Sequence, residues 1–92
     1  MNIYVDYDSG NDILYISFTN PPEEAFCDMV LPDVCLRRSF EVKERVGLTI
    51  LRAKVLWQQG DLQEIIKEYA PSELQQEIMQ IVENLLRKEE ER

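Results

Sequence analysis

The hydrophobic period of this chain changes once along its length, and this change limits the folds open to it. Apolar and polar residues alternate through most of residues 2–18, and the alternation returns in short runs up to residue 51. From residue 61 onwards, apolar residues recur every three or four positions. The first period is typical of half-buried strands and the second of amphipathic helices. We therefore predict one α+β domain over residues 1–92, with a sheet in residues 1–52 and helices in residues 53–92.

Five short antiparallel strands are predicted in the first part. Gly10 lies in a polar loop between the first two alternating runs, which is a strong hairpin signal. A third strand over residues 26–31 is predicted to turn at Pro32-Asp33 into a fourth strand over residues 34–40, and a fifth covers residues 46–51. Strands that are adjacent in sequence are usually adjacent in the sheet, so we expect a β-meander.

The alternation also assigns side chains to the two faces of the sheet. The predicted core residues are Leu14, Ile16, Phe18, Val34, Leu36, Val46, Leu48 and Ile50. Tyr4 and Tyr15 have the opposite parity, and together with Trp57 they are candidates for an exposed aromatic surface. Pairing between strands, or cover by the helices, is the more frequent role of such aromatic residues.

Two or three helices packed on one face of the sheet are predicted for the second part. Residues 52–60 fit either a strand or a short helix, and we favour the helix. Pro71 ends the next helix, and Ser72 with Gln75 has the form of a capping box that would start the last one.

The last helix carries a wide apolar stripe: Leu74, Ile78, Ile81, Val82, Leu85 and Leu86. A helix normally buries such a stripe on its own core. The width of this stripe also makes it the candidate surface for binding a protein partner, either a second copy of the chain or a different protein.

Three carboxylates, those of Asp6, Asp8 and Asp12, surround the first predicted turn. A weak cation site or a metal-dependent active site is the alternative interpretation of this cluster. An EF-hand loop counted from Asp6 would need glycine at position six and glutamate at position twelve, where the chain has Asn11 and Ser17. Turn chemistry explains all three carboxylates, so we predict a turn and no metal.

The residues of nucleophilic catalysis are largely missing. The chain has no histidine, and no Gly-x-Ser-x-Gly or phosphate-binding glycine motif occurs. We therefore predict a protein that is not an enzyme and uses no cofactor.

The charge of the chain is −8, yet its basic residues include one cluster: Arg37, Arg38, Lys43, Arg45, Arg52 and Lys54. The overall sign argues against unaided nucleic-acid binding, because phosphates would be repelled at long range. The cluster leaves anion or nucleic-acid binding through residues 37–54 as an alternative, although such charges usually solvate strand faces.

Cys27 and Cys35 flank the predicted turn at Pro32-Asp33. Across a two-residue turn, facing residues differ in parity, so two odd-numbered residues point to opposite faces of the ribbon. We therefore expect free thiols, as is usual in a reducing cytoplasm. A cytoplasmic location is predicted, since no apolar run reaches the ~20 residues of a membrane span and the first eight residues lack a secretory signal.

The segments Tyr7-Asp8, Asp12-x-Leu14-Tyr15-Ile16 and Val46-Gly47-Leu48-Thr49-Ile50-Leu51 resemble an uncharacterised family of small prokaryotic β-rich proteins. The pattern of that family is Y-D-x-x-x-D-x-L-Y-I … V-G-I-E-I-L, and the resemblance covers about residues 3–53. Thr49 replaces the acidic residue of the pattern. The resemblance implies a small antiparallel sheet with no assigned activity, and some relatives are suspected antitoxin-like partners of small toxins.

These observations together predict a non-enzymatic protein–protein interaction module. Its partner would be a second copy of the chain, or a basic protein that the acidic residues 61–92 could cover.

Overall fold

The computed structural model of the protein describes residues 3–90. Five strands come first in the chain, and three helices follow them. The strands are β1 (Tyr4–Asp8), β2 (Ile13–Ser17), β3 (Ala25–Leu31), β4 (Val34–Ser39) and β5 (Arg45–Leu51). The helices are α1 (Ala53–Gln59), α2 (Asp61–Tyr69) and α3 (Gln75–Glu90). The predicted α+β class is confirmed, and so is the favoured helix in residues 52–60.

The five strands form one antiparallel sheet in the order β1-β2-β5-β4-β3. Three of the four pairings join strands that are adjacent in sequence, as predicted, and the order departs from a simple meander only because β5 lies between β2 and β4 and pairs with both. A central strand forms backbone hydrogen bonds along both of its edges. Residues 46–50 of β5 contain neither a charge nor a proline that would disfavour such pairing. The edge strand β3 carries Asp28, a charged residue of the kind that suits the edge of a sheet.

The three helices cover one face of this sheet, and the two layers share a single cluster of buried residues. Seven of the eight predicted core residues are buried: Leu14, Ile16, Val34, Leu36, Val46, Leu48 and Ile50. Phe18 follows the end of β2 and is only partly buried against this cluster, so its prediction was too strong. Helix residues complete the core, among them Leu62, Ile66 and Ile78, which are fully buried.

The junction between α2 and α3 differs from the predicted capping box. Helix α3 begins at Gln75, and the Ser72 hydroxyl donates to the carboxylate of Glu73 rather than capping the helix. The side-chain amide of Gln75 donates to the carbonyl oxygens of Lys67 and Ala70, at 3.0 and 2.9 Å. Because Pro71 has no N–H for the Lys67 carbonyl, Gln75 closes the end of α2 instead of opening α3.

A short link joins α1 to α2. Gly60 adopts a left-handed conformation (φ 86°), and its N–H donates back to the last turn of α1. None of the helices in residues 3–90 combines the length and the apolar character that crossing a membrane requires.

Candidate functional site

The carboxylate of Asp8 belongs to the turn between β1 and β2. It accepts hydrogen bonds from the side-chain amide of Asn11 at 2.9 Å, and from the N–H groups of Gly10 and Asn11 at 3.1 and 3.3 Å. The side-chain bond from Asn11 is the main reason why the pKa of Asp8 lies below its ordinary value. Asp8 therefore has the turn role that the sequence predicted.

The carboxylate of Asp12 has a role that the sequence analysis missed. Its Oδ1 atom accepts the Tyr7 hydroxyl at 2.7 Å and the N–H of Lys54 at 2.8 Å. The carbonyl oxygen of Asp12 accepts the N–H of Ala53 at 3.2 Å. Asp12 therefore caps the start of α1 from the neighbouring hairpin, in place of Arg52, which precedes the helix and makes no side-chain cap bond.

The alternative of a cation site requires Asp6, Asp8 and Asp12 to converge. Asp6 lies on the sheet face away from the helices, since its register partner is Tyr15 and the next residues along, Val5 and Ile16, face the core. The other two carboxylates face the turn and α1. Over residues 3–90, no group of three or more His, Cys, Asp or Glu residues is arranged to hold a metal ion.

The basic residues 37–54 do not form one patch. Each arginine among them bonds a different part of the fold: Arg37 the Glu23 carbonyl, Arg38 the Asp28 carboxylate, Arg45 the Glu68 carbonyl and Arg52 the Asp33 carboxylate. Arg37 and Arg38 are on opposite faces of β4, and Arg52 is at the other end of the sheet. The basic residues 37–54 are therefore not brought together into the anion-binding surface that the sequence suggested as an alternative.

The apolar stripe of α3 packs mostly on the chain's own core. Leu74, Ile78, Val82 and Leu86 are buried there, whereas Ile81 and Leu85 are half-buried. Only Ile81 and Leu85 of the stripe remain partly exposed to solvent and could contact a partner. Partner binding through α3 therefore stays a prediction.

Cys27 and Cys35 form a disulfide, so the prediction of free thiols was wrong. A β-bulge between Met29 and Leu31 shifts the register, and Met29 faces Cys35. Facing residues beyond the bulge therefore share the same parity, which places both cysteines on one face as diagonal neighbours with Cα atoms 5.4 Å apart. The expected two-residue turn is present. The extra residue at the bulge, however, moves the two cysteines from opposite faces of the ribbon to the same face.

The sheet face opposite the helices exposes several large apolar side chains. Tyr4 is 43% exposed, Tyr15 37%, Leu51 39% and Met29 55%. These four residues come from four different strands and share this face, which we call the open face. The two tyrosines are exposed there, whereas Trp57 lies on α1 and is partly buried against the core, so it does not join them.

The strand register aligns much of the open face in rows across the sheet. One row runs through Tyr15, Thr49, Cys35 and Met29, and beside it Ile13 faces Leu51. The solvated face of an antiparallel sheet is normally polar. The open face instead combines exposed apolar and aromatic side chains with a few polar and charged ones, among them Asp6, Thr49 and Arg37.

A groove lies on the other side of the molecule, where the β3–β4 turn meets α1 and α2. It consists of two adjoining cavities of about 390 and 300 Å³ that share Leu31, Glu64 and Ile65. Its apolar residues are Leu31, Pro32, Val34, Leu56, Ile65 and Tyr69, and its carboxylates are Asp33, Asp61, Glu64 and Glu68. We call it the α2 groove. Sequence reasoning missed it because three separate segments build it.

No protein-family model matches this chain, and comparisons with curated proteins and with solved structures gave no match either.

Proposed function

We propose that this chain is a non-enzymatic protein–protein interaction module that self-associates through the open face of its sheet. The observation that supports this proposal is the row of Tyr15, Thr49, Cys35 and Met29, flanked by Tyr4 and Leu51. Several exposed large apolar side chains gathered on one face are typical of interaction sites. Two such sheets packed face to face would bury both surfaces in a β-sandwich, with the helices on the outside.

The charges of the open face favour a second copy as its partner. Asp6 is on β1 at one edge of the sheet, and Arg37 is on β4 towards the other edge. A two-fold axis parallel to the strands would bring the β1 side of one copy over the β3–β4 side of the other. The Asp6 carboxylate of one copy would then approach the Arg37 side of its partner, twice by symmetry.

The resemblance of residues 3–53 to the uncharacterised family of small β-rich proteins agrees with this proposal. That family implies a small sheet without an assigned activity, and its suspected antitoxin-like members would act by binding a protein. The net charge of −8 also suits a basic partner, in the same class of function.

The experiment that tests self-association is light scattering coupled to size-exclusion chromatography over a range of protein concentrations. We expect a dimer for the full chain and a monomer for Tyr15→Asp, because the new charge would be buried in the interface without a partner. Val55→Asp is the matched control. The exposed fraction of Val55, 38%, is nearly the same as that of Tyr15, but Val55 lies on α1 and not on the open face. The Val55→Asp variant should remain a dimer.

Far-UV circular dichroism would verify that both variants keep the native fold. A full chain that stays monomeric at every concentration would contradict self-association. So would equal dissociation of the Tyr15→Asp and Val55→Asp variants.

A further inference from the structure

We infer that the α2 groove is a second binding surface, which takes a basic segment of another protein that carries both apolar side chains and lysine or arginine. The groove lies on the helix-covered side of the sheet, away from the open face. This inference therefore stands or falls separately from self-association.

The apolar part of the groove supplies the contact area. Leu31, the last residue of edge strand β3, is 44% exposed and borders both cavities. Ile65 lies beneath the shared part, and Tyr69 lines the smaller cavity. The space of each cavity can take one or two apolar side chains of a partner, whose burial is the main favourable term in such binding.

The charged part of the groove selects the sign of the partner. Asp61, Glu64 and Glu68 are spaced three and four residues apart, so they lie along one side of α2. Glu64 has only a loose contact with Lys67, at 3.8 Å between Nζ and Oε1, and both side chains are largely exposed. These carboxylates are therefore available to lysine or arginine of a partner.

The one arginine that lines the groove does not reverse this sign. Arg52 donates from Nε and Nη2 to the Asp33 carboxylate, at 3.0 and 2.8 Å, so that this pair is neutral overall. A second arginine, Arg45, lies beside the smaller cavity, over the Tyr69 ring. The three further carboxylates of the groove outnumber it, in a protein of charge −8. Like-charge repulsion disfavours an acidic peptide or a nucleic acid here, and a basic segment is attracted at long range.

The test uses a dye-labelled synthetic peptide in which lysine alternates with leucine, titrated with the full chain and followed by fluorescence anisotropy. We expect saturable binding that weakens with added salt, and little binding of the analogue with glutamate in place of lysine. The Glu64→Gln/Glu68→Gln variant should bind the peptide roughly tenfold more weakly, since each exposed ion pair contributes modestly. Leu31→Ala should weaken it by a similar factor.

The matched control is Glu73→Gln/Glu77→Gln, which makes the same change of charge at the same spacing, outside the groove. Its affinity should change by less than about twofold. The Tyr15→Asp variant, which alters the open face, should bind the peptide as the full chain does.

Several results would overturn the inference. One is the absence of peptide binding to the full chain, and another is loss of binding in Tyr15→Asp. A third is an unchanged affinity in Glu64→Gln/Glu68→Gln, and a fourth is an equal loss of affinity in that variant and in Glu73→Gln/Glu77→Gln. Circular dichroism of each variant separates these outcomes from misfolding.

Discussion

The Asp12 carboxylate and the N–H of Lys54 are joined by a hydrogen bond of 2.8 Å, although 42 positions separate the two residues. This bond connects the first hairpin to the first turn of α1. The same oxygen accepts the Tyr7 hydroxyl, and so one carboxylate ties β1 and α1 together. A helix start that lacks a cap of its own is completed in this way by a distant part of the chain.

Replacement of Asp12 should therefore destabilise the fold in the way that removal of an N-cap does. We expect Asp12→Ala to lower the free energy of unfolding by about 1–2 kcal/mol, and Asp12→Asn to lower it less, because an amide oxygen can still accept. Urea denaturation followed by circular dichroism measures both. Asp6→Ala, on the open face, should stay within about 0.5 kcal/mol. Equal losses at Asp6 and Asp12 would contradict the capping role.

Gly47 should not tolerate a side chain. A Cβ atom at this position would overlap the carbonyl oxygen of Ile16 on the neighbouring strand, and backbone atoms there cannot move aside cheaply. We expect Gly47→Ala to lower the free energy of unfolding by about 1–3 kcal/mol. Gly10→Ala is the control, because its Cβ would meet only the Asp8 side chain at an ordinary 3.5 Å. Thermal melting that showed equal effects for the two variants would argue against close strand approach at Gly47.

Two adjacent leucines distinguish the buried side of α3 from its surface side. Leu86 is fully buried and Leu85 is half-buried. We expect Leu86→Ala to lower the free energy of unfolding by about 2–5 kcal/mol, and Leu85→Ala to cost clearly less. Chemical denaturation of the two variants gives the comparison. The reverse order would mean that α3 presents the opposite face to the sheet.

Acidification should weaken the first turn through Asp8. Since the hydrogen bond from the Asn11 side chain lowers the pKa of Asp8 in the folded state, its ionised form is stabilising. That stability is present above the ordinary pKa of 3.8 and is lost as the pH falls through the lowered value.

Melting temperatures measured downward from about pH 5 should therefore fall less for Asp8→Asn than for the unaltered chain. Asn11→Ala removes the main hydrogen-bond donor to Asp8. Its melting temperature should therefore also fall less with decreasing pH than that of the unaltered chain. Identical pH dependence in all three proteins would exclude a contribution from Asp8.

Local patterns predicted the elements of this fold better than their arrangement. Alternation and turn signals located all five strands, and helical spacing located α2 and α3. Alternation alone did not decide whether β3 or β5 pairs with β2, although β3 carries a charged residue, Asp28, and residues 46–50 carry none. The choice depends on long-range packing, and the predicted meander missed the β2–β5 pairing for this reason.

The candidate surfaces were predicted unevenly for related reasons. The parity of Tyr4 and Tyr15 made both candidates for an exposed surface, although pairing or cover by the helices was the more frequent role, and the structure exposes both. The α2 groove was missed because Leu31 and Ile65 approach only after the sheet and helices pack. Cys27 and Cys35 were expected on opposite faces of the ribbon, but one unpaired residue in β3 places them on the same face. A bulge of this kind leaves little trace in the hydrophobic pattern.

The central position of β5 has a consequence for the synthesis of the protein. The hairpins β1–β2 and β3–β4 have no strand contact with each other, and β5 is the strand that joins them. Isolated two-stranded hairpins are marginally stable in water. A chain emerging from the ribosome would therefore carry two unjoined ribbons until residues 45–51 appear, and only then could the sheet assemble. Until that moment, the apolar edges of both ribbons would be open to chaperones and to other nascent chains.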